Sequence, residues 1–246
     1  MTPFAHQATL CPMQIFAHRG AAGRGADENS LEAIRRAVAL GVGGIEVDIR
    51  RTRDDEAVLV HDSDLRRIAG DIRQVAELSL DEIQAIPLRH GTRVITLDEL
   101  TANVPAPIAL DLEVKDQEAL DLMIRKLRTS AGLRERTMIS SFAEDVIERA
   151  SHELPEIRLV LLARNWPRRW KLFKGWAAAH RLHGFGLVAR QWSPGRVAKV
   201  HEMNIRAVAW ELFAVSRSVS ARAARLRALG VDMAIVNQPG IYLQRP

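Results

Sequence analysis

The chemistry-bearing residues of this chain are unevenly placed. His18-Arg19-Gly20, Glu28-Asn29, Glu46-Val47-Asp48, His61-Asp62 and Glu113-Val114-Lys115 each fall at or just beyond the end of a short apolar run. Two imidazoles, a guanidinium and three spaced carboxylates are the parts needed to hold a divalent cation and a phosphodiester together. Carboxylates converging on one point repel each other unless a cation neutralises them. An all-oxygen ligand set suits Mg²⁺ or Ca²⁺. Imidazoles with pKa values near neutrality can act as base and acid across a phosphodiester. Arg19 adds a permanent fork of donors matched to phosphate oxygens. Gly20 would let the backbone approach a ligand closely, or would serve a turn.

Competing readings are weaker at these positions than elsewhere. Glu46 and Asp48 project from one strand face between Ile45, Val47 and Ile49, and inward acids without compensation are costly. His18 and His61 each end a strand expected to neighbour that acidic pair. His6, His90, His152, His180, His183 and His201 have no such setting and are read as structural.

The elements that must position these groups alternate between strand-like and helix-like patterns. Strand-like runs are 13–17, 44–49, 57–60, 107–113, 138–141, 157–162, 185–188, 205–210 and 232–236. Helical stripes run over 30–40, 117–128, 168–182 and 218–229. Capping boxes begin at Ser79, Thr96 and Ser141. Repeated strand–helix units predict a parallel sheet with right-handed crossovers, and eight of them close an α/β barrel of the TIM (β/α)8 type. Nine candidates leave one strand outside, and the short link from Asp48 to Ala57 makes that part irregular. A Rossmann-type sheet is second choice, since no G-x-G-x-x-G follows a strand. One barrel domain is expected over 1–246, with its core about 13–240.

Composition sets the remaining bounds. The 246 residues are 47% hydrophobic and 26% charged, which excludes a disordered chain. The single cysteine, Cys11, excludes an internal disulfide framework and a cysteine zinc site; it is read as a free thiol. Neither a signal peptide nor a membrane-length apolar run is present, so a soluble, cytoplasmic protein is expected. The net charge of +5 favours anionic partners. The basic residues are spread out and no nucleic-acid motif accompanies them, so no nucleic-acid partner is expected.

Taken together, His18-Arg19-Gly20, Glu28-Asn29-Ser30, Glu46-Val47-Asp48, His61-Asp62, Glu113-Val114-Lys115, Ser140-Ser141-Phe142 and Trp210 resemble the glycerophosphodiester phosphodiesterase family. The resemblance spans His18 to Pro239 and implies the irregular, phosphatidylinositol-phospholipase-C-like variant of the barrel. It implies metal ligation by Glu46, Asp48 and Glu113 to one divalent cation, Mg²⁺ or Ca²⁺. It makes His18 and His61 the general base and general acid, with Arg19 and Lys115 on the phosphate. Glu28 belongs to a first-loop motif and Trp210 to a wall beside the alcohol portion. Asn29 either shares that motif or caps the next helix. Ser140-Ser141-Phe142 is given a structural, capping role. The implied reaction converts glycerophosphodiesters to sn-glycerol 3-phosphate and an alcohol.

The chain departs from the family pattern at three places. Glu211-Leu212-Phe213 follows Trp210 where the family ends a W-T-V-N motif with Asn. Asn237 replaces the carboxylate of T-D-x-P, and Ile95 replaces the proline of I-P-T-L. The first two bear on the alcohol-binding side. The basic, aromatic stretch 165–176 is read as a barrel helix with Trp170, Phe173 and Trp176 inward; its competitor is peripheral contact with anionic lipid. Two further functions compete with hydrolysis of a small-molecule glycerophosphodiester: a lysophospholipase D acting on membrane-derived lysophospholipids, and an idle phosphodiester-binding protein.

Overall fold

A computed structural model describes residues 12–23, 25–211 and 219–244. Its strands are β1 (Gln14–His18), β2 (Gly44–Arg51), β3 (Ala57–Leu59), β4 (Asp64–Leu65), β5 (Asp71–Gln74), β6 (Ala109–Val114), β7 (Thr137–Ser141), β8 (Arg158–Ala163), β9 (Gly184–Val188), β10 (Arg206–Trp210) and β11 (Met233–Val236). Eight of them pair in parallel in the order β1-β2-β6-β7-β8-β9-β10-β11, and β11 pairs back to β1. The sheet is therefore a closed (β/α)8 barrel.

The period of two along each strand sorts the side chains. Ile15, Ala17, Ile45, Val47, Leu110, Leu112 and Ile139 face outward and join helix residues such as Ile34, Ala37, Leu120, Ile124 and Ile147 in the main core. Phe16, Ala109, Met138, Val160, Leu162, Val208, Met233 and Ile235 form a second cluster inside the barrel. Two residues further along the same strands stand His18, Asp111, Ser140 and Trp210. The strand ends thus deliver polar groups to the mouth directly above an apolar plug. Gly44 belongs to this layer, since a Cβ there would lie 2.2 Å from the Phe16 ring.

The extra strand is β3, which runs antiparallel to β2 and lies outside the barrel. His61 therefore does not end a barrel strand. It reaches the mouth because the β2–β3 hairpin doubles back, with Ile49 opposite Leu59 and Val60 N donating to the Asp48 carbonyl at 3.1 Å. The excursion between β2 and β6 packs a small core of its own, including Val58, Leu65, Ile68, Val75, Ile83 and Val94.

Helix 31–40 starts at Ser30, whose hydroxyl accepts from Ala33 N. The capping boxes at Ser79 and Thr96 form with both reciprocal bonds. The one expected at Ser141 does not. Helix 144–153 begins after Ala143 with no side-chain cap, while Ser141 Oγ donates to the Val114 carbonyl at 2.7 Å and accepts from Ala143 N. Its hydroxyl ties two strand ends together. Helix 168–182 is shorter than expected, at 170–179. Trp170, Phe173 and Trp176 pack against the main core, Phe173 lying 4.7 Å from the Phe185 ring. The final long helix runs 219–228. Cys11, His6, Leu212, Phe213 and Ser218 lie outside the described residues. No helix among the described residues is long and apolar enough to cross a membrane.

Gly20 serves a turn at φ +77°, and a Cβ there would meet Ala33 backbone atoms at 2.7 and 2.9 Å. Its contact is the helix that follows. Gly20→Ala combines positive φ with a backbone clash, so it should lower stability by about 1–3 kcal/mol, read as a lower urea midpoint.

Candidate active site

Register places the acids. Glu46 lies opposite His18 on β1 and Asp111 on β6, and Asp48 lies opposite Glu113. Glu46, Asp48 and Glu113 each offer an oxygen within 4.8 Å of the others, and all three are buried. Asp111, which sequence reasoning passed over as part of an apolar strand, is fully buried just below them. Its i, i+2 relation to Glu113 was the available signal.

Two cations sit among these acids. Arg19, at φ +56° and 5% exposed, gives its backbone N–H to Glu46 Oε2 at 3.0 Å. Its guanidinium lies 3.1 Å from Asp48 Oδ2 and donates to Glu28 at 2.8 Å. Lys115 Nζ lies 2.6 Å from Asp48 Oδ1 and pairs closely with Glu113. Glu28 also receives Arg67 at 2.6 and 2.7 Å. It therefore holds two arginines in place and lines neither cavity at the mouth.

The electrostatics follow from burial and crowding. Burial, with the charges of Asp48, Glu113 and Asp111, pushes the Glu46 carboxyl well above the usual range. Burial raises Glu113, and it raises Asp111 to about 8. Asp48 is also desolvated, yet Lys115, Arg19 and His61 hold it well below the ordinary carboxylate value. Glu46 Oε1 is buried with no hydrogen-bond partner. An all-oxygen set of crowded carboxylates with an orphaned oxygen fits a hard divalent cation.

The histidines are held at Nδ1. His18 Nδ1 donates to Asn237 Oδ1 at 2.7 Å, leaving Nε2, 3.9 Å from Glu46 Oε2, as the basic nitrogen. Burial and the neighbouring Arg19 lower its pKa to about 4. His61 Nδ1 bonds Asp62 Oδ1 at 2.7 Å, and burial lowers its pKa as well. Arg50 donates twice to the His61 carbonyl, at 3.1 and 3.0 Å.

Most of the expected residues meet. His18, Arg19, Glu46, His61, Glu113 and Trp210 line one cavity, and Lys115 lines its neighbour beside His61 and Glu113. Trp210 packs edge-on to Phe142 at 5.2 Å. Asn29 does not cap the helix; Ser30 does. Asn29 Nδ2 instead donates to Asp48 Oδ2 at 2.8 Å. Asn237 touches His18 and so works close to the acids, not away from them. Glu211 accepts from Tyr242 at 2.6 Å, from Asn237 N at 3.2 Å and from Arg222, which anchors the strand ends around Asn237. Four histidines read as structural pair within the scaffold or with each other: His90 with Asp27, His201 with Asp232, His180 with Ser151, and His152 edge-on to His180.

Residues 18–241 match the model of the glycerophosphoryl diester phosphodiesterase family. The chain belongs to that family. It is thus a phosphoric diester hydrolase by descent, and the family is associated with divalent metals. Among relatives, a glycerophosphodiester phosphodiesterase of Caldanaerobacter subterraneus is 26% identical, over 70% of this chain and 74% of that protein. The fold of this phosphodiesterase is shared by the Thermotoga maritima glycerophosphodiester phosphodiesterase, with TM-score 0.79 and 20% identity over 95% and 98% of the two chains. It is also shared by an Oleispira antarctica phosphodiesterase in complex with the product sn-glycerol-3-phosphate, with TM-score 0.80 and 20% identity over 93% and 94%.

Raised carboxyl pKa values mean that a cation must displace protons to bind Glu46 and Glu113. Calorimetric titration with Mg²⁺ or Ca²⁺ should show proton release near neutral pH, seen as heats that differ between Hepes and Tris. Affinity should fall as pH is lowered from 8 toward 5.5. Pure proton independence would contradict this charge arrangement.

Proposed function

We propose that this phosphodiesterase hydrolyses glycerophosphodiesters to sn-glycerol 3-phosphate and an alcohol, with Glu46, Asp48 and Glu113 as ligands of Mg²⁺ or Ca²⁺. The supporting observation is the meeting of two imidazoles, two cations and three carboxylates at one mouth. When bound, the cation would let the carboxylates ionise together and neutralise charge on a nonbridging phosphoryl oxygen.

The chain's own groups then divide the proton work. His18 is neutral at pH 7, because burial and Arg19 disfavour its charged form. Its Nε2 removes the proton from the attacking hydroxyl, either water or the glycerol hydroxyl beside the phosphate. His61 gives a proton to the departing alkoxide. Its lowered pKa makes it a stronger acid and a less populated one at neutral pH. Asp62 and Arg50 fix its orientation from the side chain and from the backbone. Arg19 and Lys115 offer positive charge to the remaining phosphoryl oxygens.

A second reading, action on lysophospholipids at an anionic membrane, has one surface observation in its favour. Leu172 is 65% exposed, and Arg168, Arg169, Lys171 and Lys174 around it are exposed too. Vesicles containing anionic lipid should then sediment the protein, and charge reversal of those four residues should abolish sedimentation.

The central test is turnover of glycerophosphocholine and glycerophosphoethanolamine by purified protein with Mg²⁺ or Ca²⁺. His18→Ala and His61→Ala should each lower kcat by about 10²–10⁴-fold. Glu46→Ala and EDTA should both abolish turnover. A folded protein that binds the diesters without cleaving them would be the idle binding protein instead, and activity that survives EDTA would remove the metal from the reading.

A further inference from the structure

On the His61 side the mouth opens into a cavity of about 740 Å³, beside the pocket of about 200 Å³ that holds His18, Glu46 and Trp210. His61, Glu113, Phe142 and Arg164 line both. If His61 protonates the departing alkoxide, the alcohol portion leaves on this side and occupies the larger space, which Trp210, expected beside the alcohol, reaches only through its contact with Phe142. Its chemistry is then selected by that wall.

The wall carries Arg50, Arg66, Arg67, Arg164 and Lys115. Three of these are committed. Arg50 pairs with Asp116, Arg67 with Glu28 and Asp62, and Lys115 with Asp48 and Glu113. Arg66 and Arg164 form no ion pair with any described residue, and both are exposed. Of the acids on this wall, Asp62 and Glu113 are paired, and Asp64 accepts from the Arg66 backbone N–H at 3.0 Å.

Arg164 is also held in place. Its guanidinium lies over the Phe142 ring, 5.7 Å from the centroid, and Phe142 is 39% exposed and braced edge-on by Trp210. An aromatic face attracts a guanidinium but leaves its N–H edge free to bind an anion. This places one cation where the two cavities adjoin and a second on the lining of the larger one.

We propose that Arg66 and Arg164 form a subsite for an alcohol portion bearing its own anionic group, a carboxylate or a second phosphate. Diesters of acidic alcohols are then preferred over those whose alcohol is neutral or carries only a cation. The inference rests on the phosphodiesterase reading and on His61 as the acid.

The test compares glycerophosphoserine with glycerophosphoethanolamine, which differ by one carboxylate, using the Mg²⁺-supplied enzyme and its R66A/R164A variant. A nearby exposed cation changes the affinity for an anion by a few-fold, so two give about a tenfold preference in kcat/KM at low ionic strength. That preference should appear in KM and shrink at high salt. In the double variant the ratio should fall to within about twofold, with Arg164→Ala alone in between; an unchanged circular dichroism melt shows that the variant is folded. A wild-type ratio near one, or a preference that survives in the double variant, overturns the subsite while leaving the phosphodiesterase reading intact. Turnover of neither diester by the folded, metal-supplied wild type overturns both.

Discussion

Mutual repulsion among buried carboxylates governs this molecule. Glu46, Asp48, Asp111 and Glu113 point into one small volume above the barrel plug. Among the described residues, only Arg19 and Lys115 pair with them as permanent positive charges. If all four acids ionise, two negative charges remain unbalanced, which is the charge of one divalent cation. Burial, reinforced by this crowding, raises Glu46, Glu113 and Asp111, while Lys115 and Arg19 hold Asp48 low. The charge deficit, more than any one contact, defines what this mouth can bind.

The surrounding structure supports that cluster by using backbone geometry where side chains would be costly. Arg19 takes a positive φ so that its N–H meets Glu46 while its guanidinium meets Asp48. The β2–β3 hairpin brings His61 back to the level of Asp48 without an intervening helix. Each ring nitrogen that faces away from the site is tied to an oxygen, from Asn237 in one case and Asp62 in the other. The proposed ligands, base and acid are thus oriented by partners outside the site.

Much of this was legible in the sequence. The alternation of strand and helix patterns predicted the barrel, and the acids, histidines and cations were visible because each interrupts or ends an apolar run. Period two alone put Glu46 and Asp48 on one face. What escaped were relations set by tertiary geometry. Nothing local distinguishes β3 from a barrel strand, since Ala57-Val58-Leu59-Val60 is equally apolar on either side of the sheet. Asn29 could be read as a first-loop residue or as a helix cap, because Ser30 and Asn29 are both good caps, and only the position of Asp48 decides between them. Asn237 and Asp62 are ordinary polar residues until a histidine is seen opposite. Ser141 matched a capping pattern, but its hydroxyl was drawn to the Val114 carbonyl on the neighbouring strand.

The bond between His18 and Asn237 joins residues 219 positions apart. It depends on β11 docking against β1, the last pairing in chain order and the one that closes the ring. A nascent polypeptide would carry every acid and both histidines of the mouth before Asn237 emerges to hold the His18 ring. The orientation of that imidazole is thus tied to closure of the barrel itself.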